Sequence, residues 1–160
     1  MRQRLNYMDH ECLICSRIAL IKEGNNPYFV AELETGYAVI GDFQFYKGYA
    51  LFLCKEHVNE LHELESKFRQ KFLEEMSLVA EAAYKAFQPK KMNYELLGNR
   101  DSHLHWHLFP RYETDPEPKK MPVWLIDKSI RNAESARPTK EELEVLKSRI
   151  RVELDKILKS

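Results

Sequence analysis

His103-Leu104-His105-Trp106-His107-Leu108-Phe109 sets three of the chain's six histidines at every second position, with large apolar residues between and after them. An extended strand sends alternate side chains to opposite faces. Read as a strand, the stretch puts the three imidazoles on one face and Leu104, Trp106 and Leu108 on the other. Pro110 follows, a natural end for a hydrogen-bonded ladder. A core satisfies a single histidine easily, but three in register have no packing reason to exist. Two chemistries are open at this point. Neutral imidazoles on one face can chelate a metal, or one can attack phosphorus while a neighbour handles protons. Crowding disfavours charging all three together, so they are expected to titrate as a coupled set.

Working outward, Gly98 to Ser102 reads as a tight loop and Met92 to Leu97 as the strand before it. Upstream, Leu61, Leu64, Phe68, Phe72, Met76, Val79, Ala83 and Phe87 recur at three and four, which predicts a helix from Val58 or Asn59 to Phe87, with charges on its other face. Pro89 ends it. Gly48 to Cys54 is almost wholly apolar and reads as a central strand. Tyr28 to Leu33 and Tyr37 to Ile40 form a hairpin around Glu34-Thr35-Gly36. Cys12 opens a short, weakly helical segment to Leu20 or Ile21, after a loose lead-in over residues 1–9. Beyond Tyr112 the composition shifts: Asp115 to Pro122 is Pro- and charge-rich, and Val123, Trp124, Leu125 and Ile126 form a small apolar patch. A last helix begins after Thr139, whose pairing with Glu142 has the spacing of a capping box, and Leu143, Leu146, Ile150, Leu154 and Ile157 give it one apolar stripe. That stripe could dock on its own fold or on a second subunit. The order predicts an α+β domain with an antiparallel sheet and one dominant crossing helix.

At 160 residues the chain is expected to be one domain with a substantial core. Lys plus Arg equals Asp plus Glu, 25 each, so an anionic ligand must be met by local groups rather than by the overall field. Neither nucleic acid nor membrane is expected as a partner. The first dozen residues carry no apolar signal-like run, and the cytoplasm is the expected location. In that compartment Cys12-x-x-Cys15 suggests metal or redox chemistry rather than a disulfide framework. A thioredoxin-like pair would follow a strand, and none precedes Cys12. A closed zinc site needs four thiolate or imidazole ligands. Cys12 and Cys15 supply two, His57 is a candidate third and one of the triplet a candidate fourth. His10 and His62 compete, with His62 disfavoured on a helix surface.

The triplet also resembles, at all seven positions, the His-φ-His-φ-His-φ-φ signature of the histidine triad (HIT) superfamily of nucleotide hydrolases and transferases, where φ is apolar. Cys12-Leu-Ile-Cys15 is similar to the N-terminal pair of its bacterial-type zinc-binding branch. Ala38-Val-Ile-Gly-Asp42 resembles a strand ending in a ribose-binding acid. Gly48-Tyr-Ala-Leu-Phe-Leu-Cys-Lys55-Glu-His57 resembles the family's Gly-x-x-Leu-Val-x-Pro-Lys-x-His segment, and Leu97-Gly98-Asn99 and Pro110-Arg111-Tyr112 resemble the flanks of the triad.

The resemblance implies a HIT-like fold: a five-stranded antiparallel sheet, one long crossing helix, a short N-terminal helix and here an extra C-terminal helix. It assigns residues 1–126 to the HIT domain with its zinc-binding segment, and 127–160 to a helical extension of the same compact unit. It implies cleavage at the α-phosphate of a small nucleotide conjugate, a dinucleoside polyphosphate or nucleoside phosphoramidate, through a nucleotidyl-histidine. His105 would be the nucleophile, oriented by the backbone carbonyl of His103, and His107 would contact the phosphoryl oxygens or leaving group and supply a proton. Asp42 would bind ribose and Asn99 the phosphate region, with Ser102 or Arg100 a further polar candidate, neither in register with the polar pair that some branches use on the leaving group. Cys12, Cys15, His57 and His103 would hold one structural zinc, and a homodimer is implied. Two other readings stay open: a phosphoesterase whose triplet binds a catalytic metal, and a zinc protein that binds nucleotide without turnover. Tyr49 stands where the family often has a fourth histidine, so the hydrogen bond usual there is not expected. Trp106 is expected in the core, and Trp124 is expected to pack more than to touch substrate.

Overall fold

The computed structural model describes residues 12–160; the lead-in at residues 1–9 and His10 lie outside the described residues. Strands β1 (Phe29–Glu32), β2 (Gly36–Ile40), β3 (Ala50–Cys54), β4 (Lys91–Glu95) and β5 (His105–Arg111) form one antiparallel sheet in the order β1-β2-β3-β5-β4. Helix α1 (Leu13–Lys22) precedes the sheet and α2 (Ser66–Phe87) crosses it between β3 and β4. After β5 come two single-turn helices, α3 (Glu117–Lys120) and α4 (Lys128–Arg131), and then the long α5 (Lys140–Lys159). This is the expected α+β architecture.

Its boundaries differ from expectation in ways the hydrogen bonds explain. The chain forms a 3-10 turn at Leu61–Glu63 before α2, which starts only at Ser66, where Glu65 accepts from the amides of Lys67 and Phe68. Leu61 and Leu64 continue the helical stripe because they pack on the same core, although their backbone is not α-helical. Strand β5 starts at His105, not His103. The Leu104 amide donates to Val58 O at 3.0 Å and its carbonyl accepts from the Cys54 amide at 3.1 Å, so Leu104 splices onto the end of β3. Pro110 lies inside β5. It pairs with Met92 on β4, while the pairing to β3 has already stopped at Leu108.

The register gives the sheet two unlike faces. Ala38, Ile40, Ala50, Phe52, Cys54 and Leu108 are buried beneath α2 and α5, with Trp106 partly buried on the same side. The stripe of α5 docks on its own chain: Leu143, Leu146, Ile150 and Leu154 are buried in this core. The Thr139 and Glu142 capping box forms with bonds of 3.2 and 3.1 Å. Arg151 donates to Val30 O at 3.0 Å, and the Arg149 guanidinium covers the Phe87 ring at the C-terminus of α2. Glu75, expected among the exposed charges of α2, is instead buried and accepts from the amides of Glu34 and Thr35 at 2.9 and 2.8 Å and from the Thr35 hydroxyl. It clamps the β1–β2 turn to the helix.

The opposite face carries Tyr37, Val39, Leu51, Leu53, His105, His107 and Phe109. Ile14 and Ile18 of α1 cover one end of it, against Tyr37, Val39 and Leu53. Val123 closes the other end against Tyr46 and Phe109. A cavity remains between them.

If α5 is an integral part of this core, Ile150→Ala should lower the unfolding free energy by about 2–5 kcal/mol. Urea denaturation reads this directly, and an unchanged midpoint would mean that the helix is not docked.

Candidate functional site

Cys12 is the N-cap of α1 and Cys15 lies in its first turn, so both thiols face the same way; the Cys15 amide donates to Cys12 Sγ at 3.3 Å. They meet His57, just past the end of β3, and His103, just before β5. His57 Nδ1 lies 3.2 Å from Cys15 Sγ, and His103 Nδ1 lies 3.6 Å from Cys12 Sγ, 3.4 Å from Cys15 Sγ and 3.1 Å from His57 Nδ1. The four ligand atoms lie within 4.8 Å of one another. With Zn–N near 2.0–2.1 Å and Zn–S near 2.3 Å, a zinc tetrahedron has edges of roughly 3.3–3.8 Å. The separations just given, 3.1–3.6 Å, come close to those edges. Two imidazole nitrogens facing each other this closely gain nothing from each other when both are lone pairs, but a cation between them removes the conflict. His103 Nε2 donates to Cys54 O at 2.8 Å, which leaves Nδ1 unprotonated and ready to ligate. Burial lowers the His103 pKa, and this too favours the neutral ring. The residues present therefore fit zinc. Cys54 takes no part; it is a core thiol whose pKa burial raises to about 11.

The three histidines are not equivalent. His103 turns to the cysteines. His105 and His107 share the cavity face of β5, and their rings contact each other edge to face with centroids 4.8 Å apart. His105 Nδ1 donates to the carbonyl of His103 at 2.7 Å, which assigns the free lone pair to Nε2. His107 Nδ1 is 2.6 Å from the Tyr49 hydroxyl. The absent hydrogen bond expected at Tyr49 is thus corrected: the phenol reaches the third triad histidine itself. Gly41 makes room for it, because a Cβ there would lie 2.1 Å from the Tyr49 ring. Among the described residues, the Cys12, Cys15, His57 and His103 set is the only cluster of three or more potential ligands, so the triplet does not converge on one ion.

The cavity has a volume of about 420 Å³. Asp42, two residues past β2, lies in its wall, and both carboxylate oxygens accept from Arg17, at 3.1 and 2.7 Å. A carboxylate has acceptor capacity beyond those two bonds. Asn99 and Ser102 are exposed and do not line the cavity, whereas their neighbours Arg100 and Asp101 do. Trp124 lines it as well, edge-on to His107 with centroids 5.2 Å apart, and donates from Nε1 to Glu95. Its place at the site corrects the expectation that it mainly packs. Lys128 and Arg131 of α4 complete that wall; the Arg131 guanidinium covers the Trp124 ring at 4.9 Å and its Nε donates to Ile126 O. The sequence offered no signal for them, since isolated cations in a charged loop look like any solvated surface.

The HIT domain family matches residues 23–114, more than half of the chain. The chain belongs to the HIT domain family. Solved structures share its fold. A hypothetical histidine triad nucleotide-binding protein from Sulfolobus tokodaii strain7 is 22% identical, with 89% of this chain and 93% of that chain covered and a TM-score of 0.68. A histidine triad protein from Marinobacter aquaeolei VT8 is 23% identical over 80% and 88%, with a TM-score of 0.66. A zinc-bound histidine triad family protein from Mycobacterium smegmatis is 17% identical over 94% and 98%, with a TM-score of 0.65. No curated protein matches the chain in sequence. Lys128 and Arg131 lie beyond the residues matched to the family.

Elemental analysis should find zinc in the parent and much less in Cys12→Ser; undiminished metal would remove Cys12 from the set. His107 offers a second check. Burial, aided by the neighbouring His105 ring and the Arg131 guanidinium, lowers its pKa from 6.5 to about 3. The unfolded chain then binds this proton below about pH 6.5 while the folded chain does not, so this group lowers stability as pH falls from 6.5 towards 3 and has no effect above that window. The His107 ring resonances should stay flat from pH 8 to 5, and a titration near pH 6.5 would contradict the geometry.

Proposed function

We propose that the chain is a nucleotidyl hydrolase or transferase that cleaves at the α-phosphate of a small nucleotide conjugate through a covalent nucleotidyl-His105 intermediate. The observation that carries this reading is the 2.7 Å bond from His105 Nδ1 to the His103 carbonyl. It fixes the tautomer whose lone pair is on Nε2, on the face of a cavity of nucleotide size, and it stabilises the positive charge that the ring acquires when Nε2 bonds to phosphorus. The N–P bond forms as the bond to the leaving group breaks. Water then attacks phosphorus, one of its protons passes to solvent, and His105 departs with the electron pair of the N–P bond.

The remaining residues take supporting roles. Asp42 accepts from the ribose hydroxyls while Arg17 holds its carboxylate in place. His107 donates to a phosphoryl oxygen or to the bridging atom. Arg100, which lines the cavity where Asn99 and Ser102 do not, takes the polar role at the phosphate end. One zinc per chain, held by Cys12, Cys15, His57 and His103, ties α1 to the start of the catalytic strand and stays out of the reaction. Thiolate ligands of this kind suit a reducing compartment such as the cytoplasm. β4 is an edge strand with an unpaired ladder, which supports assembly as a homodimer.

The division of the triplet weighs against a phosphoesterase that uses it as one metal site. His105→Asn keeps a polar ring-sized group but removes the nucleophile. Turnover of a diadenosine polyphosphate or an adenosine phosphoramidate should fall by at least about 10³-fold. A variant as fast as the parent would refute the nucleophile, and a parent that binds nucleotide without turnover would favour a binding protein.

A further inference from the structure

Tyr49 is clamped where it meets His107. Its ring stacks on Phe109 with centroids 4.1 Å apart and an interplanar angle of 9°, and Gly41 lies flat against it. Tyr49 Oη has no second partner among the described residues. A phenol is the stronger acid and a neutral imidazole the stronger base, so the 2.6 Å bond runs from Tyr49 O–H to His107 Nδ1. That leaves the single proton of His107 on Nε2, towards the cavity. In this state His107 can donate a hydrogen bond, but it has no spare proton to give away. A relay from Tyr49 would leave a phenolate in a desolvated place, and burial pushes the Tyr49 pKa well above the ordinary tyrosine value.

The wall facing the two histidines has a matching bias. The chain has no net charge, yet the cavity is lined by Arg17, Arg100, Lys128 and Arg131 against only Asp42 and Asp101, and Asp42 is already paired with Arg17. The cations left over can neutralise a departing anion. They offer nothing to a departing amine.

We infer that Tyr49 is a positioning residue that holds His107 as a neutral Nε2–H donor, so that the site takes nucleoside phosphoanhydrides, whose leaving group departs as a phosphate anion, in preference to nucleoside phosphoramidates, whose amine must be protonated to leave. The inference rests on His105 as the nucleophile. In the first step the His105 Nε2–P bond forms and the P–O bond of the anhydride breaks. The bridging oxygen keeps the electron pair and leaves as an anion beside Lys128 and Arg131, with no proton transferred from His107.

Three measurements on the full chain test this. With diadenosine tetraphosphate and an adenosine 5′-phosphoramidate of an alkylamine as probes, the parent should favour the anhydride in kcat/KM by about 100-fold or more, the lower range of what a missing general acid costs. Tyr49→Phe lets the single proton of His107 settle on Nδ1, which takes the Nε2–H donor away from the departing phosphate and should narrow that preference by about tenfold or more by slowing the anhydride. Lys128→Ala should raise KM for the anhydride by about threefold to tenfold more than it raises KM for the phosphoramidate. Nitrogen NMR of the parent should show His107 protonated at Nε2 and bare at Nδ1, whatever the turnover. Equal or better cleavage of the phosphoramidate by the parent, or an unchanged preference in Tyr49→Phe, would overturn the substrate assignment. An unchanged anhydride KM in Lys128→Ala would remove the cationic wall from it. A proton on Nδ1 would overturn the role of Tyr49. A parent that cleaves neither probe would refute the His105 reading and the substrate class with it, and the NMR result would still decide Tyr49 separately.

Discussion

His103 is held at three points, and the site depends on all of them. Its Nε2 donates to the Cys54 carbonyl at the end of β3, its Nδ1 faces the two cysteines and His57, and its own carbonyl accepts from His105 Nδ1. One residue thereby joins the N-terminal helix, the central strand and the cavity histidine. The ring is buried, so its bonds are made in a medium where hydrogen bonds are strong and lost partners costly. A shift at the cysteine cluster would move the carbonyl that sets the His105 tautomer. In the proposed reaction, a metal held there would act on the nucleophile without touching the substrate.

The sheet explains why this joint is rigid. On the face away from the cavity, α2 and α5 pack on β2, β3 and β5 with a continuous apolar core. Buried Glu75 locks the β1–β2 turn to α2, and the arginines of α5 tie its far side to β1 and to the end of α2. The cavity face can then afford polar groups because the opposite face supplies the stability. The remaining cavity walls come from Arg100 and Asp101 in the loop after β4 and from the region around Trp124.

Much of this was legible in the sequence, and the exceptions share a cause. Alternation announced the histidine strand, an unbroken apolar run announced β3, and the three-and-four spacing announced α2 and α5, because burial writes itself into the order of residues. The His-x-His-x-His pattern and Cys12-x-x-Cys15 were visible for the same reason. Partners distant in sequence were not. Nothing local distinguishes Glu75 from the solvated glutamates beside it, or Lys128 from any loop lysine. The start of β5 was misplaced because Leu104 bonds to Val58 and Cys54, residues no period can reveal. The pairing of Tyr49 with His107 spans 58 positions and needed the register of β3 on β5 to become apparent.

The triplet that looked like three equal imidazoles is thus one putting its ring to the cysteines, one presenting a free Nε2, and one held by a phenol. The claim that this division makes His105 alone the nucleophile is tested most directly by trapping. Rapid denaturation of the parent during turnover of a nucleotide conjugate, followed by peptide mass spectrometry, should find a nucleotidyl adduct on His105. An adduct on His107 instead, or brisk turnover with no adduct on any histidine, would contradict it.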